Sequence, residues 1–265
     1  MRCLLGPWLS CLSLLALAQP DPFPEVAASY LVDIDGTPVW QRQATRQLAP
    51  ASLTKLMTAL LVAEDGQLDA IATVSRAAAR ETGSRAGLKA GEKFHVRDLL
   101  AAALIASAND ACVALADHLA GDEQRFVQRM NQRAMALGLL DTHFSNACGH
   151  DAIDHYSSVR DLAQLAHEVI KHSSITQLAI KPDARIATLD GAKSYDLKNS
   201  NALIGRYPGA LGLKTGYTPK AGKCLVAYAR RGNTEVLLVM LKGSDRWWDA
   251  VDILDLAFAH ARNAP

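Results

Sequence analysis

The sequence predicts an α+β fold with one antiparallel sheet, its strands drawn from both ends of the chain and its helices from the middle. Three observations carry this. Apolar strand-like segments gather near the start (Ser29 to Ile34, Val39 to Gln43) and near the end (Leu211 to Thr215, Cys224 to Arg230, Glu235 to Leu241). Apolar residues at helical spacing fill most of the interval between them. No Pro-, Gly- or Ser-rich linker divides residues 25 to 262, so one sheet must take strands from both termini. A hydrophobic fraction of 49% and a charged fraction of 21% supply an ordinary globular core. A formal charge of +1 gives no electrostatic footprint for nucleic acid, which is excluded as an expected partner.

In chain order, the first residues stand apart from the fold. Arg2 precedes an apolar run from Leu4 to Leu17, broken by Gly6 and Pro7 and closed by Ala16-Leu17-Ala18. This reads as a secretory signal peptide over residues 1–18, and the run is short for a membrane span. Export to the periplasm, or another extracytoplasmic space, is expected. Residues 19–28, with Pro20 and Pro24, read as a flexible lead-in. Residues 29–262 read as a single domain. Without the leader, Cys112, Cys148 and Cys224 remain, an odd number that leaves at least one unpaired. They are read as small core residues in a chain not built on disulfides.

Ser29 to Ile34 turns at Asp35-Gly36 and returns through Val39 to Gln43. A buried helix follows, carrying Leu53, Leu56, Met57, Leu60 and Leu61 and stopping near Asp65-Gly66. Ile71 to Val74 suggests a short strand, and Thr82 to Glu92 a Gly-rich loop. Leu99 to Leu119 reads as one buried helix with a polar interruption at Ser107-Ala108-Asn109-Asp110. Asp122 to Leu137 is amphipathic and closed by Gly138. Asn146 to His155 is polar and irregular. Ser158 with Asp161 opens a helix running to about Lys171. Leu189 to Tyr195 suggests a hairpin about Asp190-Gly191, Gly232-Asn233 joins the last two strands, and Trp247 to Ala261 is a terminal amphipathic helix, expected to pack on the sheet and to give no firm membrane anchor.

The chemistry is concentrated at Ser52 and Lys55. Three residues apart, they face one side of the helix after Pro50. A lysine buried there cannot easily hold its charge, and a neutral amine can take the serine proton. Free N–H groups at the helix start favour the negative charge that would then develop on a substrate. The pair alone is weak, since S-x-x-K arises roughly once by chance in a chain of this length. Downstream, Ser107-Ala108-Asn109 places polar groups inside an apolar helix, where they need partners. Lys214-Thr215-Gly216 ends an apolar strand, so the lysine and threonine can face a cleft and Gly216 lets a ligand approach the backbone.

S-x-x-K, S-x-N and K-T-G each occur once, in that order. Together with Asn199-Ser200-Asn201, Tyr156 to Asp161 and Gly212 to Thr218 followed by Ala221-Gly222, they resemble the low-molecular-mass penicillin-binding proteins, the D-alanyl-D-alanine carboxypeptidases of peptidase family S11. The resemblance runs from about Ser29 to His260. It implies a β-lactamase/transpeptidase-like fold, a sheet flanked by helices with a helical subdomain. It also implies catalysis without metal or cofactor on peptidoglycan stem peptides ending in D-Ala-D-Ala, with β-lactams as covalent inhibitors. By the same resemblance, Ser52 is the nucleophile, Lys55 the base, and Ser107 and Asn109 the opposite wall. Lys214 and Thr215 would meet the substrate carboxylate, Gly216 would border the substrate, and Tyr217 would give an oxyanion N–H alongside that of Ser52.

Alternatives remain open at this stage. D,D-endopeptidases occur among small members of the family. A β-lactamase of class A would use a glutamate between S-x-N and K-T-G, but Glu168, the one beyond the Asp122 helix, lies inside an expected helix. A non-catalytic penicillin sensor need not keep Ser52 and Lys55. His143, His150, Asp151, Asp154 and His155 cluster, yet their spacing matches no zinc motif and suits loop packing.

Overall fold

The computed structural model describes residues 21–263, so the leader expected at residues 1–18 lies outside the described residues. Its centre is a five-stranded antiparallel sheet in the order β2-β1-β9-β8-β7. The N-terminal pair, β1 (Ala27–Ile34) and β2 (Thr37–Arg42), joins β7 (Ala210–Thr218), β8 (Gly222–Arg231) and β9 (Thr234–Gly243) through β1 against β9, with Leu31 opposite Val239. The sheet therefore draws on both ends of the chain, as expected.

The strands are apolar on both faces because both faces are covered. Along β9, Leu237, Val239 and Leu241 face the helical layer, while Val236, Leu238 and Met240 face the terminal helix α7 (Arg246–Asn263). That helix turns Ala250, Ile253, Leu254, Ala257 and Phe258 onto the sheet. This i, i+3, i+4, i+7, i+8 stripe makes it a core helix. Among the described residues no helix is long and apolar enough to cross a membrane.

On the other face, α1 (Lys55–Asp65) is buried from Lys55 through Val62 and stops where Gly66 takes φ +74°. Truncating one of its core residues, as in Leu60→Ala, costs roughly 2–5 kcal/mol. Around α1 lie α2 (Val96–Ile105), α3 (Asn109–Ala120), α4 (Glu123–Ala136), α5 (Val159–Ile170) and α6 (Ser173–Ala179). Asp122 caps α4 by accepting from Arg125 N, and Ser158 caps α5 by accepting from Asp161 N.

Several expectations are corrected. Leu99 to Leu119 is two helices, because Ser107 at φ +58° breaks the helical path between α2 and α3. The strand at Ile71–Thr73 (β3) pairs with an unforeseen β4, Lys93–His95. The hairpin about Asp190-Gly191 is longer than read, with arms β5 (Asp183–Ala187) and β6 (Ser194–Lys198), and α6 was not expected. Over its described part, the lead-in expected to be flexible is packed. Asp21 accepts from Tyr30 Oη and Arg42, and Phe23 meets the Tyr30 and Trp40 rings edge-on. Cys112 and Cys148, read as small core residues in a chain not built on disulfides, are joined by a disulfide, while Cys224 is free and buried.

Candidate active site

Ser52 sits in a 3-10 turn, Ala51–Thr54, that leads directly into α1. Ala51 adopts φ +49°, a left-handed conformation that costs a non-glycine residue free energy and turns the chain sharply from Pro50. A buried relay holds the turn. Ser145 N donates to His155 Nδ1, which leaves His155 Nε2–H to donate to Thr54 Oγ1, and Thr54 donates to the Ala51 carbonyl. Gly149 packs against the turn at φ +92°, where a Cβ would collide with the Ala51 carbonyl and lie 2.8 Å from Ser52 N. Only glycine fits there.

Lys55 is 1% exposed. Its Nζ lies 3.1 Å from Ser52 Oγ, 2.7 Å from Asn109 Oδ1 and 2.7 Å from the Cys148 carbonyl oxygen. Burial, reinforced by the Lys214 charge, holds this amine well below the usual lysine range, although Glu81 and Asp110 pull the other way. Asn109 is itself oriented, donating through Nδ2 to the Thr82 carbonyl. Its neighbour Asp110 serves a different end, accepting from Ala86 N, Gly87 N and Leu88 N and so fastening the 82–92 loop onto α3.

The facing wall is β7. Lys214, also 1% exposed, donates to Ser107 Oγ at 2.8 Å and to the Thr215 carbonyl at 3.0 Å. Burial, with the Arg246 charge, brings its ammonium down to about 7. Thr215 Oγ1 lies 2.7 Å from Ser200 Oγ. The strand passes so close to the Ser52 turn that a methyl at Gly216 would stand 3.0 Å from the Pro50 carbonyl oxygen and 3.1 Å from Ser52 N. Tyr217, 63% exposed, stands at the rim.

All eight residues singled out in the sequence thus gather around one cleft. Four participants escaped notice. The Cys148 carbonyl and Gly149 are backbone features, and Asn146, whose Oδ1 accepts from the N–H groups of Cys148, Gly149 and His150, lies in the segment read only as irregular. Arg246 donates to the Gly216 and Cys224 carbonyls from the first residue of α7. The histidines and aspartates weighed as a metal cluster are spent on loop contacts. Beyond the His155 relay, His150 pairs with Glu81, His143 lies against the Asp154 carbonyl, and Asp151 accepts from Thr218.

Residues 18–245 match the family model described as Peptidase S11, D-alanyl-D-alanine carboxypeptidase. The chain belongs to this family. Among S11 relatives, D-alanyl-D-alanine carboxypeptidase DacF of Bacillus subtilis is 38% identical over 251 residues, covering 91% of this chain and 64% of that protein. The D-alanyl-D-alanine carboxypeptidase of Streptomyces sp. K15 is 34% identical over 243 residues, covering 84% of each. The chain therefore spans about three-fifths of DacF and most of the Streptomyces protein. The crystal structure of the Streptomyces K15 DD-transpeptidase superposes with a TM-score of 0.83 at 32% identity, over 89% of this chain and 98% of that one. With it comes the transpeptidase-like fold that the S11 motifs implied.

Proposed function

We propose that this chain is a serine D-Ala-D-Ala carboxypeptidase that acts on peptidoglycan stem peptides through an acyl-enzyme on Ser52 and is inhibited covalently by β-lactams. The observation that carries the reading is the buried Lys55 amine, its proton affinity lowered chiefly by burial, 3.1 Å from a serine hydroxyl. A neutral amine has two N–H donors and one lone pair. With the donors on Asn109 Oδ1 and the Cys148 carbonyl, the lone pair faces Ser52 Oγ and takes its proton as the oxygen attacks.

The tetrahedral oxyanion goes to the Ser52 and Tyr217 N–H groups, where β7 runs alongside the turn. The Ser107 hydroxyl, already bonded to Lys214, relays the proton taken up by Lys55, giving its own to the leaving D-alanine nitrogen as it receives that one. Lys214 and Thr215 hold the substrate carboxylate, a charge-assisted contact in a partly dry cleft. Residues 1–18 supply an export signal, and the chain works outside the cytoplasm.

Two measurements test this. Labelled penicillin should modify the wild type stoichiometrically and leave Ser52→Ala, still folded, unlabelled; labelling of that variant would remove Ser52 as the nucleophile. Digestion of purified muropeptides, resolved by mass, should release D-alanine from pentapeptide monomers. Conversion of cross-linked dimers to monomers, with pentapeptides left intact, would assign D,D-endopeptidase activity instead. Sustained nitrocefin turnover would mark a β-lactamase.

A further inference from the structure

The two groups that orient Lys55 come from segments distant in sequence. Asn109 Oδ1 belongs to the first turn of α3, and the Cys148 carbonyl to the loop after α4. The Cys112–Cys148 disulfide joins these two segments. Cys112 lies three residues beyond Asn109 on the same helix face, and Cys148 is the residue whose carbonyl meets Lys55. Both cysteines are buried, at 0% and 1% exposure, beneath the catalytic pair. The loop's remaining ties run elsewhere: Asn146 bonds within the loop, Thr58 on α1 donates to the Ala147 carbonyl, and Ala147 N donates to Glu123 on α4.

We propose that the Cys112–Cys148 bridge is a positioning element of catalysis, fixing the separation of the Asn109 amide and the Cys148 carbonyl so that the Lys55 amine presents its lone pair to Ser52. This rests on the acyl-enzyme reading above. With both acceptors in place, the two N–H bonds of the amine are directed and its third tetrahedral position points at the hydroxyl. If the loop drifts from α3, a water takes the carbonyl's place. The amine then rotates, becomes better solvated and binds a proton more readily, and so less of it is available as a base at a given pH. Displacements of about 1 Å at such a contact cost on the order of 100-fold in rate.

The test is the pH dependence of penicillin acylation, compared between wild type and Cys112→Ala/Cys148→Ala at a temperature where circular dichroism shows both folded. We expect the bridge-free variant to acylate about 10- to 100-fold more slowly. Its acid limb should move to higher pH, because Lys55 must lose its proton to act. A bridge that only stabilised the fold would lower Tm and leave both the limb and the rate in place, and that result overturns the proposal. The same profile on wild type opened with dithiothreitol gives a reading independent of how the variant folds. There the reagent closes to its cyclic disulfide, and its two electrons and two protons leave Cys112 and Cys148 as thiols. An unchanged profile in the opened protein likewise overturns the proposal. A wild type that never acylates would refute the functional reading instead.

Discussion

Lys55 and Lys214 are two buried amines, each 1% exposed, and the Lys214 charge adds to burial in lowering the proton affinity of Lys55. Repulsion between two ammonium groups is mutual, so a charge on one disfavours a charge on the other. One cleft can thereby hold a base and a cation at the same pH.

Lys214 is charged below about 7 in the free enzyme, so carboxylate binding should weaken as pH rises through that value. On an acyl-D-Ala-D-Ala substrate, kcat/KM is expected to fall above pH 7, and an analogue with an amidated terminus should show no such limb. Lys214→Gln should lose most activity on the acid and far less on the amide. Equal losses on the two substrates would mean that Lys214 does not read the carboxylate.

Lys55→Met keeps the volume of the side chain but removes the proposed base. Acylation by penicillin should slow at least about 100-fold. The substitution also strands Asn109 Oδ1 and the Cys148 carbonyl, so thermal unfolding should reveal a cost of about 1–3 kcal/mol. A variant that acylates at the wild-type rate would take Lys55 out of the mechanism.

His155 should make the fold sensitive to acid. Burial, with His143 nearby, lowers its pKa to about 4 against an ordinary 6.5, so the unfolded chain binds the proton more readily. Its contribution is intact above pH 6.5 and is lost as pH falls from there towards 4, by about 3 kcal/mol in all. His167, bonded to Asp33 with its pKa raised, works in the opposite sense: its contribution is present below its ordinary value and fades as pH rises. Denaturant midpoints between pH 4 and 7 should be flatter for His155→Gln than for wild type, and parallel curves would show that His155 does not carry the effect.

Asp110→Ala should remove the acceptor of three backbone N–H groups in the 86–88 stretch. A loss of about 3 kcal/mol or more is expected, since buried donors without partners are costly. Proteolysis should open the 82–92 loop first. A variant as stable and as protease-resistant as wild type would mean that Asp110 does not hold that loop.

What the sequence determined by itself was whatever repeats locally. Short apolar runs bounded by turn residues exposed the strands from both termini, and period-3.6 spacing the buried helix of α1, because burial imposes its pattern on neighbouring residues. Ser52 and Lys55, three apart, were legible as a pair for the same reason, and Ser107, Asn109 and Lys214 stood out as polar groups in apolar surroundings. Other features came only with the tertiary structure. Lys55 takes its orientation from Asn109, 54 residues away, and from a carbonyl 93 residues away, and any residue type can offer a carbonyl. The Cys112–Cys148 pairing, the Ser200–Thr215 contact and the reach of Arg246 to Gly216 share that property. They depend on the distance between segments after packing, and no spacing along the chain encodes that distance.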